Sequence, residues 1–196
     1  KEYVESYQIL GEKTYNYSEI LDLDNNLLVR DLSQAENKHP NISATEYTKT
    51  VENVKEYSRL HALNHNNELF RITGEKISDR VDDYYDSMAG GSVIQGVCYL
   101  KNGNLYEKTD AGEKVLAANV KSLVKPEDYD FVGYGQYGQY GYITEDGTYY
   151  TCHWEKQSAD LMSYDYEIKI EKCGEQVSAV YDCFFTNNEG TSFVAP

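Results

Sequence analysis

His61 and His65 stand four residues apart, with Glu68 close behind. On a helix that spacing would offer two imidazoles to one metal ion. The intervening HALNHNNEL reads instead as a strand entering the turn His65-Asn66-Asn67, which parts the two rings. His153 is the third candidate, next to Cys152. Neighbouring residues of a strand project to opposite faces, so Cys152 and His153 do not form a thiol–imidazole pair. Asp22-Leu23-Asp24-Asn25-Asn26 begins like a calcium loop. Leu27, however, occupies the glycine position and Ser33 the position of the bidentate glutamate, so it reads as a plain turn. No nucleophile elbow and no phosphate-cradling glycine loop occurs. A small metal-dependent hydrolase using His61, His65 or His153 is thus a subordinate reading. No catalytic residue, metal ligand set or cofactor is assigned.

The richer signal is aromatic. VGYGQYGQYGYITEDGTYYTCHW strings Tyr134, Tyr137, Tyr140 and Tyr142 among glycines, then adds Tyr149, Tyr150 and Trp154. The glycines recur at three, but too briefly for a collagen repeat, and each costs a helix about 1 kcal/mol. In an extended strand Tyr134, Tyr140 and Tyr142 share one face and Tyr137 takes the other. Two readings follow. The seven rings form a platform, with Gln136 and Gln139 as hydrogen-bonding partners, for a carbohydrate, a peptide or a hydrophobic ligand. Alternatively, the segment is a glycine-bulged strand whose rings pack on their neighbours.

Composition narrows the class. The 196 residues include 20 Tyr against 5 Phe and 1 Trp, a bias that suits thin, half-wet sheets better than a thick dry core. A net charge of −15 repels phosphate backbones and anionic membranes, which argues against a nucleic-acid partner. No apolar run approaches the ~20 residues needed to span a bilayer. The chain starts at Lys1 without a Met and reads as a trimmed or mature form, from which a targeting segment or lipid anchor could have been removed. Cys98, Cys152, Cys173 and Cys183 show no zinc spacing. Their even number suits disulfides in an oxidising compartment, though reduced core thiols fit as well.

The elements that must position these residues are mainly strands. SEILDLDNNLLVRDL folds about Asp24-Asn25-Asn26, and residues 33–42 read as a linker. Ser43-Ala44-Thr45-Glu46 has capping-box spacing, and Tyr47, Val51 and Val54 follow on one face, which predicts a helix over 44–58. Beyond it, Asn102-Gly103, Asp110-Ala111-Gly112 and Asp146-Gly147 mark hairpins. Tyr164, Tyr166, Ile168 and Ile170 alternate with polar residues, giving a one-sided strand. If Cys173-Gly174 turns that strand back on Val177–Cys183, Cys183 lies too far from the turn to bridge to Cys173.

The expectation is an α+β fold, mainly an antiparallel meander closed into a curved sheet or partial barrel, with one helix. Residues 1–42 form a loosely ordered segment with a short hairpin, and 43–196 a single domain. A helix followed by tyrosine-rich hairpins with Asn-Gly and Asp-Gly turns resembles, in outline, the LolA-like half-barrel lipoproteins. It is more loosely similar to extracytoplasmic domains of Gram-positive surface lipoproteins. The resemblance implies a groove for a hydrophobic ligand, and hence a lipid carrier as an alternative. The leading expectation is a non-enzymatic binding or structural domain of a secreted or cell-surface protein, located outside the cytoplasm.

Overall fold

In the computed structural model of the chain, residues 3–10, 13–31, 47–58, 60–89, 93–125, 140–157, 166–181 and 184–194 are described. Short polar turns organise them. Asp22, Asn64, Thr144 and Asn187 each close the same loop, in which their amide donates to the carbonyl four residues on, at 2.9–3.1 Å. The third residue of the loop is left-handed in every case: Asn25 and Asn67 have φ of 58° and 59°, Gly147 and Gly190 of 81° and 79°. This is the three-residue hairpin loop that ends in a left-handed residue, which favours Asn and Gly. Asn102 and Gly103, with φ of 52° and 72°, make the tighter two-residue version. Asp146-Gly147 therefore belongs to the longer loop, whereas Asn102-Gly103 forms the two-residue turn that its sequence predicts.

The strands between these turns form antiparallel meanders. The chain makes two compact units, Lys1–Asp82 and Asp83–Pro196. The first holds β1 (Tyr3–Leu10), β2 (Lys13–Leu21), β3 (Leu27–Asp31) and β4 (Thr48–Val51), paired in that order. It also holds β5 (Val54–Tyr57), β6 (His61–Asn64), β7 (Leu69–Arg71) and β8 (Lys76–Ser78), again paired in order. The second unit holds three meanders. β9 (Asp83–Ala89), β10 (Val93–Lys101), β11 (Asn104–Thr109) and β12 (Gly112–Ala118) make the first. β13 (Val120–Val124), β14 (Tyr140–Thr144), β15 (Tyr149–Lys156) and β16 (Tyr166–Gly174) make the second. β17 (Val177–Tyr181), β18 (Phe184–Asn187) and β19 (Ser192–Val194) make a three-stranded third.

One hydrogen-bonded junction recurs where a new meander begins. The amides of Val54, Val81, Val120 and Val177 donate to the carbonyls of Asn25, Asn67, Gly103 and Gly147, at 2.7–2.9 Å. Each acceptor sits in the hairpin between the second and third strands of the preceding meander. The residue before each valine, Asn53, Arg80, Asn119 or Gln176, is left-handed with φ of 52–57°. Three of these return the contact: the carbonyls of Asn53, Asn119 and Gln176 accept from the amides of His65, Glu145 and Asn188 in the following hairpin. A left-handed residue turns the chain sharply enough to leave one sheet and start another.

The mainly antiparallel expectation stands, but two parts of the sequence reading are corrected. Across residues 47–57 the predicted 44–58 helix is replaced by β4, a turn at Glu52-Asn53 and β5. Thr48, Thr50, Val51 and Val54 are β-branched and favour the pleat, and left-handed Asn53 breaks any helix. The capping box at 43–46 lies outside the described residues. The strands also divide among several sheets, with no closed barrel and no helix among the described residues. The return of Val177 onto β16 is not formed either. β16 pairs with β15, while β17 pairs with β18, because Gln176 redirects the chain. The boundary expected at 42/43 lies outside the described residues.

Small apolar cores hold the units. Leu63 and Leu69 are fully buried in the first, each contributing about 1.5–3 kcal/mol. In the second, Tyr149, Val177 and Phe185 form a cluster against which Gly174 closes. A Cβ on Gly174 would lie 2.3 Å from the Phe185 ring. Gly174→Ala is expected to destabilise the chain by about 1–3 kcal/mol in urea denaturation. Asn64, 4 % exposed, accepts from the amides of Asn66 and Glu68 through one oxygen. Asn64→Ala should cost about 1–3 kcal/mol in the same measurement, because it leaves both amides without their acceptor. A loss below about 0.5 kcal/mol would contradict a capping role.

Candidate functional site

The aromatic segment enters the described structure at Tyr140, so Tyr134 and Tyr137 lie outside it. β14 carries Tyr140 and Tyr142; β15 carries Tyr149, Tyr150 and Trp154, with Trp154 opposite Ile168 of β16. Tyr142 pairs with Tyr150 across the two strands, and their rings stack at 5.0 Å. Tyr140 pairs with Cys152 and stacks on Tyr85 of β9 at 4.3 Å. Tyr149 projects to the other face and meets Phe185 edge-on at 5.8 Å. Both faces of this hairpin are therefore covered. Tyr142 and Tyr149 are 4 % and 0 % exposed, which places them in the core, while Tyr140 and Tyr150 are half-buried. Burial pushes the Tyr142 and Tyr149 hydroxyls well above the usual phenol range.

The glycine of the repeated motif has a steric reason here. A Cβ on Gly141 would sit 2.3 Å from the Tyr150 carbonyl and 2.9 Å from the Tyr149 ring. Glycine lets the two strands close while large rings flank it on either side.

Behind Tyr140 lies a polar row absent from the sequence reading. Tyr85 pairs with Cys98, Cys98 with Glu107, and Glu107 with Lys114, so one line of side chains crosses all four strands from β9 to β12. Tyr85, Cys98 and Glu107 are buried, and Cys152 joins Tyr85 and Cys98 from the neighbouring sheet. Lys114 Nζ reaches Glu107 Oε2 at 2.8 Å, which offsets the burial of that carboxylate. Burial raises both thiols, Cys152 to about 12 and Cys98 higher still. Neither is a nucleophile at neutral pH. Cys98, Cys152 and Cys173 are free thiols in this structure, and Cys183 lies outside the described residues. On the opposite face Tyr99 stacks on Tyr106 at 5.2 Å and donates to Glu113 at 2.6 Å.

The remaining candidates are separated by the strand geometry that parts them in sequence. His61 is buried in β6, while His65 is exposed in the turn beyond it. Cys152 is buried and His153 exposed, as alternation requires. Among the described residues no group of three or more His, Cys, Asp or Glu could hold a metal ion. Asp22 is a turn cap: Oδ1 accepts from the amides of Asp24 and Asn26, and Oδ2 from the Asn26 side chain. Asp146 likewise accepts from Thr144 Oγ1 and the Thr148 amide.

Comparison with models of known families, with curated proteins and with solved structures finds no match. Among the described residues no helix is long and apolar enough to cross a membrane.

These caps make stability depend on pH. Hydrogen bonds from Asn26 hold the Asp22 carboxyl below the ordinary aspartate value of 3.8, and Thr144 does the same for Asp146. A lowered folded-state value means that the carboxylate stabilises the fold fully above 3.8 and loses that contribution as pH falls through the folded value. Urea midpoints should therefore decline on acidification below about pH 4. The double variant Asp22→Asn and Asp146→Asn should show a shallower decline, and parallel profiles for variant and parent would contradict the assignment.

Proposed function

We propose that the chain is a non-enzymatic binding or structural domain of a secreted or cell-surface protein, built from tandem β-meanders. The observation that carries this reading is where the chemically capable side chains sit. Asp22, Asn64, Asp146 and Asn187 cap hairpins; Glu68 takes Lys76 and Asn64; Glu107 takes Lys114. Four-stranded meanders in series are the building unit of propellers and related repeat arrays, whose loops and edges serve recognition. An exterior location draws support from the net charge of −15, which keeps a chain soluble.

The contact surface proposed is the half-buried pair Tyr140 and Tyr150. Tyr140 is backed by Tyr85 and Tyr150 by Tyr142, so each ring is held rigid before a ligand arrives. A neutral carbohydrate or an extended peptide suits such rings, since their faces cover C–H patches. Arrays of neutral oligosaccharides and of peptides, probed with the purified chain, test the reading. Tyr140→Ala with Tyr150→Ala is expected to reduce the strongest signal about tenfold or more, for two contact aromatics. A lowered melting temperature with unchanged signal would make both rings core residues and remove the proposed surface. The compartment is tested separately by the mass of the unreduced protein from its native source: four free thiols would count against an exterior location.

A further inference from the structure

We propose that Asn102 is a self-modifying site, which converts to isoaspartate in the folded chain and so loosens the joint between the β9–β12 and β13–β16 meanders. The chemistry needs only an asparagine side-chain amide, the main-chain amide that follows it, and water. The main-chain nitrogen gives up its proton and attacks Cγ of the side chain. A C–N bond forms, the side-chain nitrogen leaves as ammonia, and a cyclic imide results. Water then opens the ring at one of its two carbonyls. One opening leaves aspartate. The other leaves the main chain running through Cβ and Cγ, one carbon longer, with a free carboxylate on Cα. Either product makes the net charge of −15 one unit more negative.

A hydrogen bond on the following amide blocks this reaction, because the nitrogen must be free to attack. The described turns impose that block widely. After Asn25, Asn53, Asn66, Asn67, Asn119 and Asn188 the next amide donates a hydrogen bond at 2.7–3.1 Å. The amides after Asn64 and Asn187 donate as well, to the carbonyls of Asn53 and Gln176. The Asn64 and Asn187 side chains are also committed, each accepting from two amides. Asp146-Gly147 could form the same imide by losing water. There, however, the Gly147 amide donates to the Thr144 carbonyl at 2.9 Å, and Asp146 accepts from Thr144 and Thr148.

Asn102 has none of these protections. It is exposed, and among the described residues neither its side chain nor the Gly103 amide makes a hydrogen bond. Lys101 and Asn104 pair with each other to close the two-residue turn, which leaves the Gly103 nitrogen outside the ladder. Glycine brings no side chain to shield it. The position is also a consequential one. The Gly103 carbonyl accepts from the Val120 amide at 2.8 Å, the bond at which β13 begins. Hairpin register depends on loop length, so an extra main-chain carbon at residue 102 shifts that carbonyl away from Val120.

The full chain is aged at mildly alkaline pH, folded and in urea, and mapped by peptide mass with isoaspartate detection. Folding should slow conversion at Asn102 by no more than about a hundredfold, the factor set by a local opening of about 2.7 kcal/mol. Conversion at Asn64 should slow by more than about a thousandfold, since freeing it draws on the stability of the whole fold. The isoaspartyl fraction is then separated by its added charge and followed by amide hydrogen exchange. Val120 should lose protection about three- to tenfold, for one net hydrogen bond, while Val177 in the next joint keeps its own. Freshly prepared Asn102→Asp, which carries the charge without the longer main chain, should protect Val120 as the parent does. The proposal is overturned if folding slows Asn102 as much as Asn64, or if the converted fraction holds no isoaspartate. It is equally overturned if the isoaspartyl chain protects Val120 fully, if Val120 and Val177 lose protection together, or if Asn102→Asp loses as much.

Discussion

The arrangement rests on a main-chain hydrogen bond between the start of one meander and the hairpin tip of the meander before. Val54, Val81, Val120 and Val177 supply the amide, and Asn25, Asn67, Gly103 and Gly147 the carbonyl. A buried amide left without a partner is costly, so each junction fixes where a sheet may begin. The left-handed residue before each valine supplies the bend. An Asn, Arg, Asn or Gln accepts that strain, of order 1–3 kcal/mol, because the surrounding hydrogen bonds over-determine its conformation.

From that constraint the rest follows. Once hairpin tips and strand starts are tied, alternate side chains must meet between sheets, and the large ones here are tyrosines. Tyr85 and Tyr140 stack from neighbouring meanders, Tyr142 and Tyr150 within one, and Tyr149 against Phe185. Tyrosine is a costly core residue when its hydroxyl goes unmet. Tyr85 and Tyr149 both bear that cost, since each hydroxyl is buried without a hydrogen-bond partner among the described residues. The same shortage of apolar side chains explains Glu107 in a sheet interior, held there by Lys114 from the adjacent strand.

Much of this was legible in the residues. Hairpins at Asp24-Asn25-Asn26, His65-Asn66-Asn67, Asn102-Gly103 and Asp110-Ala111-Gly112 follow from turn chemistry, which is local. So does the separation of His61 from His65 and of Cys152 from His153, since strand alternation needs no tertiary information. The predicted helix at 44–58 failed because Tyr47, Val51 and Val54 fit a helical face equally well as two short strands about a left-handed asparagine. Whether Asn53 adopts that conformation depends on the carbonyl of Asn25, far away in sequence. The repeat itself was visible in principle, as polar turns beginning at Asp22, Asn64, Thr144 and Asn187, on the order of 40 residues or a multiple apart. Identity at each position is low, because the shared element is backbone geometry that Asp, Asn and Thr all satisfy. Burial of Tyr142 and Tyr149 could not be read from one strand, since the sheet carrying Phe185 covers the second face.

The junctions have a corollary for meander size. Their recurring contacts are made by main-chain groups, the same in every amino acid. The segments between successive junction valines differ greatly in length, from Val54 to Val81 and from Val120 to Val177. Strands and connections of unequal length are thus joined by one main-chain geometry. Such a joint sets no length for the meander it opens and asks for no particular side chain beyond it, so each meander is free to differ in size from its neighbours.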